Sequence, residues 1–266
     1  MMRPGTSRGL AWSMFAATAA LALVHGVLVL SGSAGLVHAE AGLNAFPIIT
    51  IGSVMGALVG ALVATRLPRN PIGWLFLVGQ LGTGIGLVCQ AYAFRVLEDG
   101  ELGPRLTGQY ATMVSSALGA SWALSILAAA FLLFPDGSVP SKTWRGVLWA
   151  LPVPQVVAIL STVLFVPVNT ISSSVELNPL VNAIGGVAAI VGVLLLILSV
   201  VALVRRLRRA SGVRRQQLRW LATAAFALVA GFVFAQLISL GPANAQVWSV
   251  APLFVAYAGV PVAAGL

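Results

Sequence analysis

Eight runs of mostly apolar residues, each long enough to cross a lipid bilayer, follow one another through nearly all of this 266-residue chain. The hydrocarbon core is about 30 Å thick and a helix rises about 1.5 Å per residue, so crossing it takes about 20 apolar residues. The runs cover roughly residues 10–30, 46–64, 72–95, 110–134, 146–168, 180–204, 217–240 and 247–265. The expected fold class is therefore all-α, a polytopic transmembrane helical bundle forming one domain over residues 1–266. Charged residues make up 8% of the chain and hydrophobic ones 59%. A soluble domain of this size would need about three times as many charges to cover its surface.

The connectors give an orientation. If the runs alternate in direction, thirteen of the fifteen Lys and Arg fall on one side: Arg3, Arg8, Arg66, Arg69, Lys142, Arg145 and the seven from Arg205 to Arg219. The other side holds Arg95 and Arg105, with Glu40, Glu98, Asp99, Glu101 and Glu176. Short loops keep their Lys and Arg in the cytoplasm, so both termini are expected there, in a multi-pass protein of a bacterial plasma membrane. One missed or invented helix would scramble this division.

The net charge of +9 and pI of about 11.5 imply no nucleic-acid partner. A basic excess held in juxtamembrane loops anchors topology and attracts anionic lipid headgroups, by about 1 kcal/mol per charge near the surface. Arginine outnumbers lysine fourteen to one among abundant Ala, Gly and Val, a composition that suggests a high-GC bacterial genome. The single cysteine, Cys89, lies inside the third run and forms no internal disulfide. The first run, with Arg3 and Arg8 before it, has signal-peptide features. It is longer than a typical h-region, and the small-x-small stretch Ala39-Glu40-Ala41 lies well past its end, so a retained helix is expected.

Helices in lipid associate mainly by packing small residues. Gly52, Gly56, Gly60 and Ala64 recur every fourth residue of the second run and make one such stripe. The third run carries Gly79, Gly82, Gly84 and Gly86, read as close-contact positions; no strand precedes them to make a dinucleotide fingerprint. Pro152, Pro154 and Pro167 in the fifth run, and Pro252 and Pro261 in the eighth, are expected to kink their helices.

The chemical inventory inside the runs is sparse. No Asp, Glu, Lys or Arg lies near the middle of any run, which counts against an ion-coupled transporter. His25 and His38 have no metal-ligand spacing and are read as interface and packing histidines. No nucleophile elbow or catalytic triad pattern accompanies the serines. The expectation is no catalytic residue, no metal and no cofactor. Gln80, Gln90 and Tyr92 are the candidate intramembrane polar site, with interhelical cross-linking as the simpler reading of the glutamines.

Three stretches on the basic side stand out. In Arg69-Asn70-Pro71-Ile72-Gly73-Trp74, Asn70 suits a helix cap, Pro71 a first helical turn and Trp74 the interface. In Phe134-Pro135-Asp136-Gly137, followed by Trp144, Pro-Asp-Gly is a turn. The third is Arg215-Gln216-Gln217-Leu218-Arg219-Trp220, at the start of the seventh run. In this order the three resemble the N-terminal multi-span region of a group of sensor histidine kinases frequent in actinobacteria. The resemblance runs from about residue 66 to the end, where Pro261–Gly265 match that family's close of the last span. It implies a sensory input region whose output, a dimerisation helix and ATP-binding kinase domain, would follow Leu266. Homodimerisation through such a domain, and contact with a response regulator only through it, are implied in the same way.

The reading is an input module that senses an intramembrane or interfacial signal and relays it through its last helix. A permease or channel-like subunit is the alternative.

Overall fold

The structure is a computed structural model that describes residues 4–44, 46–118, 120–139, 141–165 and 179–209, with scattered positions between 211 and 230. All regular structure among the described residues is helical. The helices are α1 (Pro4–Leu30), α2 (Ala34–Asn44), α3 (Ile48–Arg66), α4 (Pro71–Leu97), α5 (Arg105–Ala117), α6 (Ala120–Leu133), α7 (Lys142–Ala150), α8 (Val153–Phe165) and α9 (Pro179–Arg209).

Six stretches are long and apolar enough to cross a bilayer: Thr6–Leu30, Ile48–Arg66, Pro71–Leu97, Arg105–Leu133, Lys142–Ser161 and Ala183–Arg209. They correspond to the first six apolar runs. The seventh and eighth runs, 217–240 and 247–265, lie outside the described residues apart from scattered positions.

α4 is the hub. It packs against α1, α3, α5 and α6, while α9 packs against α6 and α8. Glycine allows α4 so many neighbours, because its backbone approaches each without an intervening side chain. A Cβ at Gly73 would meet the Ala64 backbone of α3 at 2.6 Å, and one at Gly84 would meet Leu21 of α1 at 3.3 Å. One at Gly79 would meet Ile126 of α6 at 2.7 Å, and Gly82 faces Trp122 on the same helix. The Trp122 indole donates to the Gly79 carbonyl at 3.2 Å. On the α1–α3–α4 side the core is built of small residues, Ala11, Ala57, Ala61 and Ala64 with Leu77. On the α4–α6–α9 side it is built of large ones, including Phe76, Leu127, Phe131, Leu196 and Leu203. Outward positions such as Leu23, Val27, Leu160 and Leu194 expose apolar side chains, as a helix facing lipid does.

Two of the six stretches are broken. α5 ends at Ala117 before α6 begins at Ala120, and α7 gives way to α8 at Leu151-Pro152. Pro152 and Pro154 lack the N–H that would continue the helix. The breaks supply each other's hydrogen bonds. The Gln155 amide of α8 donates to the last carbonyl of α5, Ala117, at 2.5 Å, and the Ser125 hydroxyl of α6 donates to Leu151 O at 3.2 Å. The segment after the first run, expected to be a short connector, contains the 11-residue helix α2.

Candidate functional site

α4 opens with an extended residue, Asn70, whose Oδ1 accepts the Ile72 N–H at 3.1 Å; Pro71 occupies the first helical turn, where no N–H is needed. The same side chain uses its other half. Asn70 Nδ2 donates to the Pro135 carbonyl at 3.1 Å, 65 residues along the chain.

Pro135 lies in the turn that ends α6. There Gly137 takes φ +72 and its N–H returns to the Leu133 carbonyl at 2.8 Å, the left-handed closure that glycine permits at a helix end. A Cβ on Gly137 would stand 2.5 Å from Pro71 Cδ and 2.8 Å from Asn70 Oδ1. The two loops are thus seated in each other. α9 joins them: the Arg206 guanidinium donates to the carbonyls of Phe134 and Ser138. A cation there also faces the negative end of the α6 dipole. Trp74 donates to Pro68 O at 3.1 Å and closes the α3–α4 loop, and Trp144 packs half-buried against the large-residue core.

The first two sequence motifs therefore meet, and they bring in an arginine that sequence reading treated only as one of a run. Arg69 and Asp136 are exposed. Arg215, Gln216, Gln217 and Trp220 lie outside the described residues, although Leu218 between them is buried against the core. The junction consists of caps, carbonyls and one guanidinium. It holds three chain segments in register.

Gly52, Gly56 and Gly60 are all buried in α3. A Cβ at Gly56 would strike Gln80 at 2.8 Å, and one at Gly60 would meet the Gly73 carbonyl at 3.0 Å, so both positions face α4. The three residues of the candidate polar site do not gather. Gln80 lies over Gly56, whereas the Tyr92 hydroxyl reaches Thr107 Oγ1 at 2.9 Å and the Leu102 carbonyl at 3.4 Å, toward the α4–α5 loop and the start of α5. Gln90 is half-buried on α4.

The opposite, acidic end carries two polar clusters. His25, expected as an interface or packing histidine, is hydrogen-bonded at both ring nitrogens. Its Nδ1 lies 3.0 Å from Thr50 Oγ1 and its Nε2 3.3 Å from Glu40 Oε2, with His25 fully buried and Glu40 2% exposed. Helix α2 carries Glu40 back over the end of α1, a fold-back that spacing alone does not reveal. The only available signal was that the first acidic-side connector has a single carboxylate. Beside this cluster, the Arg95 guanidinium donates to Leu28 O at 3.2 Å, Ser31 Oγ at 3.0 Å and the Glu101 carboxylate, with Asp99 Oδ2 3.9 Å away. Arg95 thereby ties the end of α1 to the α4–α5 loop.

The chain matches no protein-family model, no curated protein and no solved structure.

Proposed function

We propose that this chain is the membrane-embedded input module of a two-component sensor histidine kinase. In this reading the bundle has eight spans with the basic end and both termini in the cytoplasm. It senses an intramembrane or interfacial signal and passes it through the last span to a kinase domain. Dimerisation and contact with a response regulator belong to that domain, and anionic headgroups surround the basic loops.

The observation that carries the reading is the joint between Asn70 and Pro135, with Arg206 across the same turn. Taken singly, a capping asparagine, a Pro-Asp-Gly turn and an arginine run have ordinary structural roles. Here two of the stretches that resemble the kinase family lock together at the end where an output helix would leave the membrane. A third helix, α9, leading toward the third stretch, is held to them. Movement of α4, α6 or α9 is transmitted to the others at this point. A signal shifts such a bundle only by differing in affinity for two of its states. The permease reading would need Gln80 and Gln90 on one path, and Gln80 is occupied between α3 and α4.

Joining the chain through Leu266 to the dimerisation and kinase domains of a similar kinase provides the test. Inserting one to four residues at the junction turns the output helix by about 100° each. Autophosphorylation is expected to rise and fall with that period, and Arg206→Gln is expected to change basal activity at unchanged membrane insertion. Constitutive activity that ignores both linker length and Arg206 overturns the reading.

A further inference from the structure

The joint between α7 and α8 has a weakened backbone ladder. Pro152 and Pro154 carry no N–H, so the carbonyls of Leu148 and Ala150 have no donor one turn on. The ladder resumes where the Val156 N–H donates to Pro152 O at 3.0 Å. Prolines of this kind are where helices bend. Packing differs on the two sides of the joint. α6 is buried from Leu127 to Leu133, and Leu151 joins it in the large-residue core. Beyond the joint, Val153, Val156, Val157, Leu160, Val163 and Leu164 of α8 are 41–70% exposed.

α8 also borders a cavity of about 360 Å³ that it shares with α9. Val153, Pro154 and Val157 belong to one wall, and Ile184, Val187 and Val191 to the other. The lining is aliphatic, so the hydrocarbon that fills such a space in a bilayer makes no hydrogen bond that opposes closure. Nearby on α9, a Cβ at Gly185, Gly186 or Gly192 would meet nothing within 4 Å. α8 has room to move toward α9.

A polar bond restrains it on the other side. Gln155 is 7% exposed, and its Nε2 donates to the Ala117 carbonyl at the end of α5. α5 is itself seated on α4: a Cβ on Gly86 would stand 2.9 Å from the Leu118 carbonyl, and one on Gly108 2.9 Å from Val96. The other half of the amide is idle. Gln155 Oε1 is buried with no hydrogen-bond partner among the described residues, an arrangement that is costly away from water and weakens the hold. Side chains on a helix lean toward its N-terminus. Once released, the amide therefore lies toward the carbonyls that the two prolines leave without donors.

We propose that α8 is a flap hinged at Pro152 and Pro154. It swings toward α9 and narrows the cavity when Gln155 lets go of Ala117, and it is held away while that bond is made. Closing sets α8 against the half of α9 that lies opposite Arg206 on one continuous helix. The flap is independent of the sensory reading above.

The test introduces Val157→Cys and Val187→Cys together, one on each wall, in a Cys89→Ser background, with the full chain in nanodiscs holding one copy each. Disulfide formation under copper–phenanthroline needs the two Cβ atoms within about 4.5 Å, so its rate reads closure. A separate preparation carries Leu21→Cys and Gly84→Cys, where a Cβ on Gly84 would stand 3.3 Å from Leu21 Cβ. This reference pair reports that a variant keeps the bundle. In the parent the wall pair is expected to link more slowly than the reference pair. Gln155→Leu is expected to speed it about tenfold, the worth of one hydrogen bond. Pro152→Ala with Pro154→Ala is expected to slow it in either background. The flap is overturned by a wall pair as fast as the reference in the parent, by a Gln155→Leu rate no higher than the parent's, or by a rate that the proline substitutions leave unmoved. If Gln155→Leu abolishes the reference link, Gln155→Met takes its place, and if both do, the proline variant decides alone.

Discussion

Asn70 performs two tasks with one amide, its oxygen capping α4 and its nitrogen holding the turn after α6. The tasks are separable. Asn70→Ser keeps a capping oxygen and loses the link, so it is expected to lower stability by about 1 kcal/mol. Asn70→Ala loses both and is expected to lose about 1 kcal/mol more. Denaturant unfolding in detergent checks the order; a serine variant as stable as the parent would show the link to be energetically silent. Gly137→Ala is expected to be worse than Asn70→Ser, at about 1–3 kcal/mol, because it strains a positive φ and presses a methyl into Pro71. The capping role of Asn70 was readable because capping is local, decided by the next two residues. Its bond to Pro135 was not, since nothing in a single sequence reports which loops meet at one end of a bundle. The same limit hid the His25–Glu40 pair and the role of Arg206 within an arginine run.

Among the helices, six of the expected spans reappear because transfer of apolar side chains into lipid depends on composition and length, which a sequence states directly. The interruption between α7 and α8 was foreshadowed by Pro152 and Pro154. The one between α5 and α6 was not: the run there stays apolar, and the Ala117 carbonyl is satisfied by Gln155 from another helix. Helix α2 leaves little trace in the sequence because it is short and only moderately apolar. The small-residue stripe of α3 offers a direct measurement of packing against α4. Gly60→Leu is expected to destabilise the bundle by about 1–3 kcal/mol, since the Gly73 carbonyl and Phe76 stand in the way. Ile51→Leu, at a position 60% exposed, is expected to be nearly neutral. Equal unfolding midpoints for the two variants would mean that α3 and α4 separate more easily than their contact suggests.

At the scale of the molecule, the charge division makes a prediction independent of any side-chain contact. A reporter active only in the cytoplasm is expected to work when fused after Gly137 or Ser211 and to fail after Gly100; activity at Gly100 would overturn the proposed orientation. α4 joins the two ends. Its 27 residues make a rod of about 40 Å. Asn70 fastens one end to the α6 turn, and Arg95 fastens the other to α1 and the α4–α5 loop. The distance between the two anchorages is therefore set by covalent geometry, while the depth of the surrounding hydrocarbon is set by acyl-chain length. Where these disagree the helix cannot shorten, so the bundle tilts or the nearby lipid stretches or thins to meet it, at a fraction of a kcal/mol per Å. Moving from one membrane to another thus loads the molecule with a strain determined by its lipids.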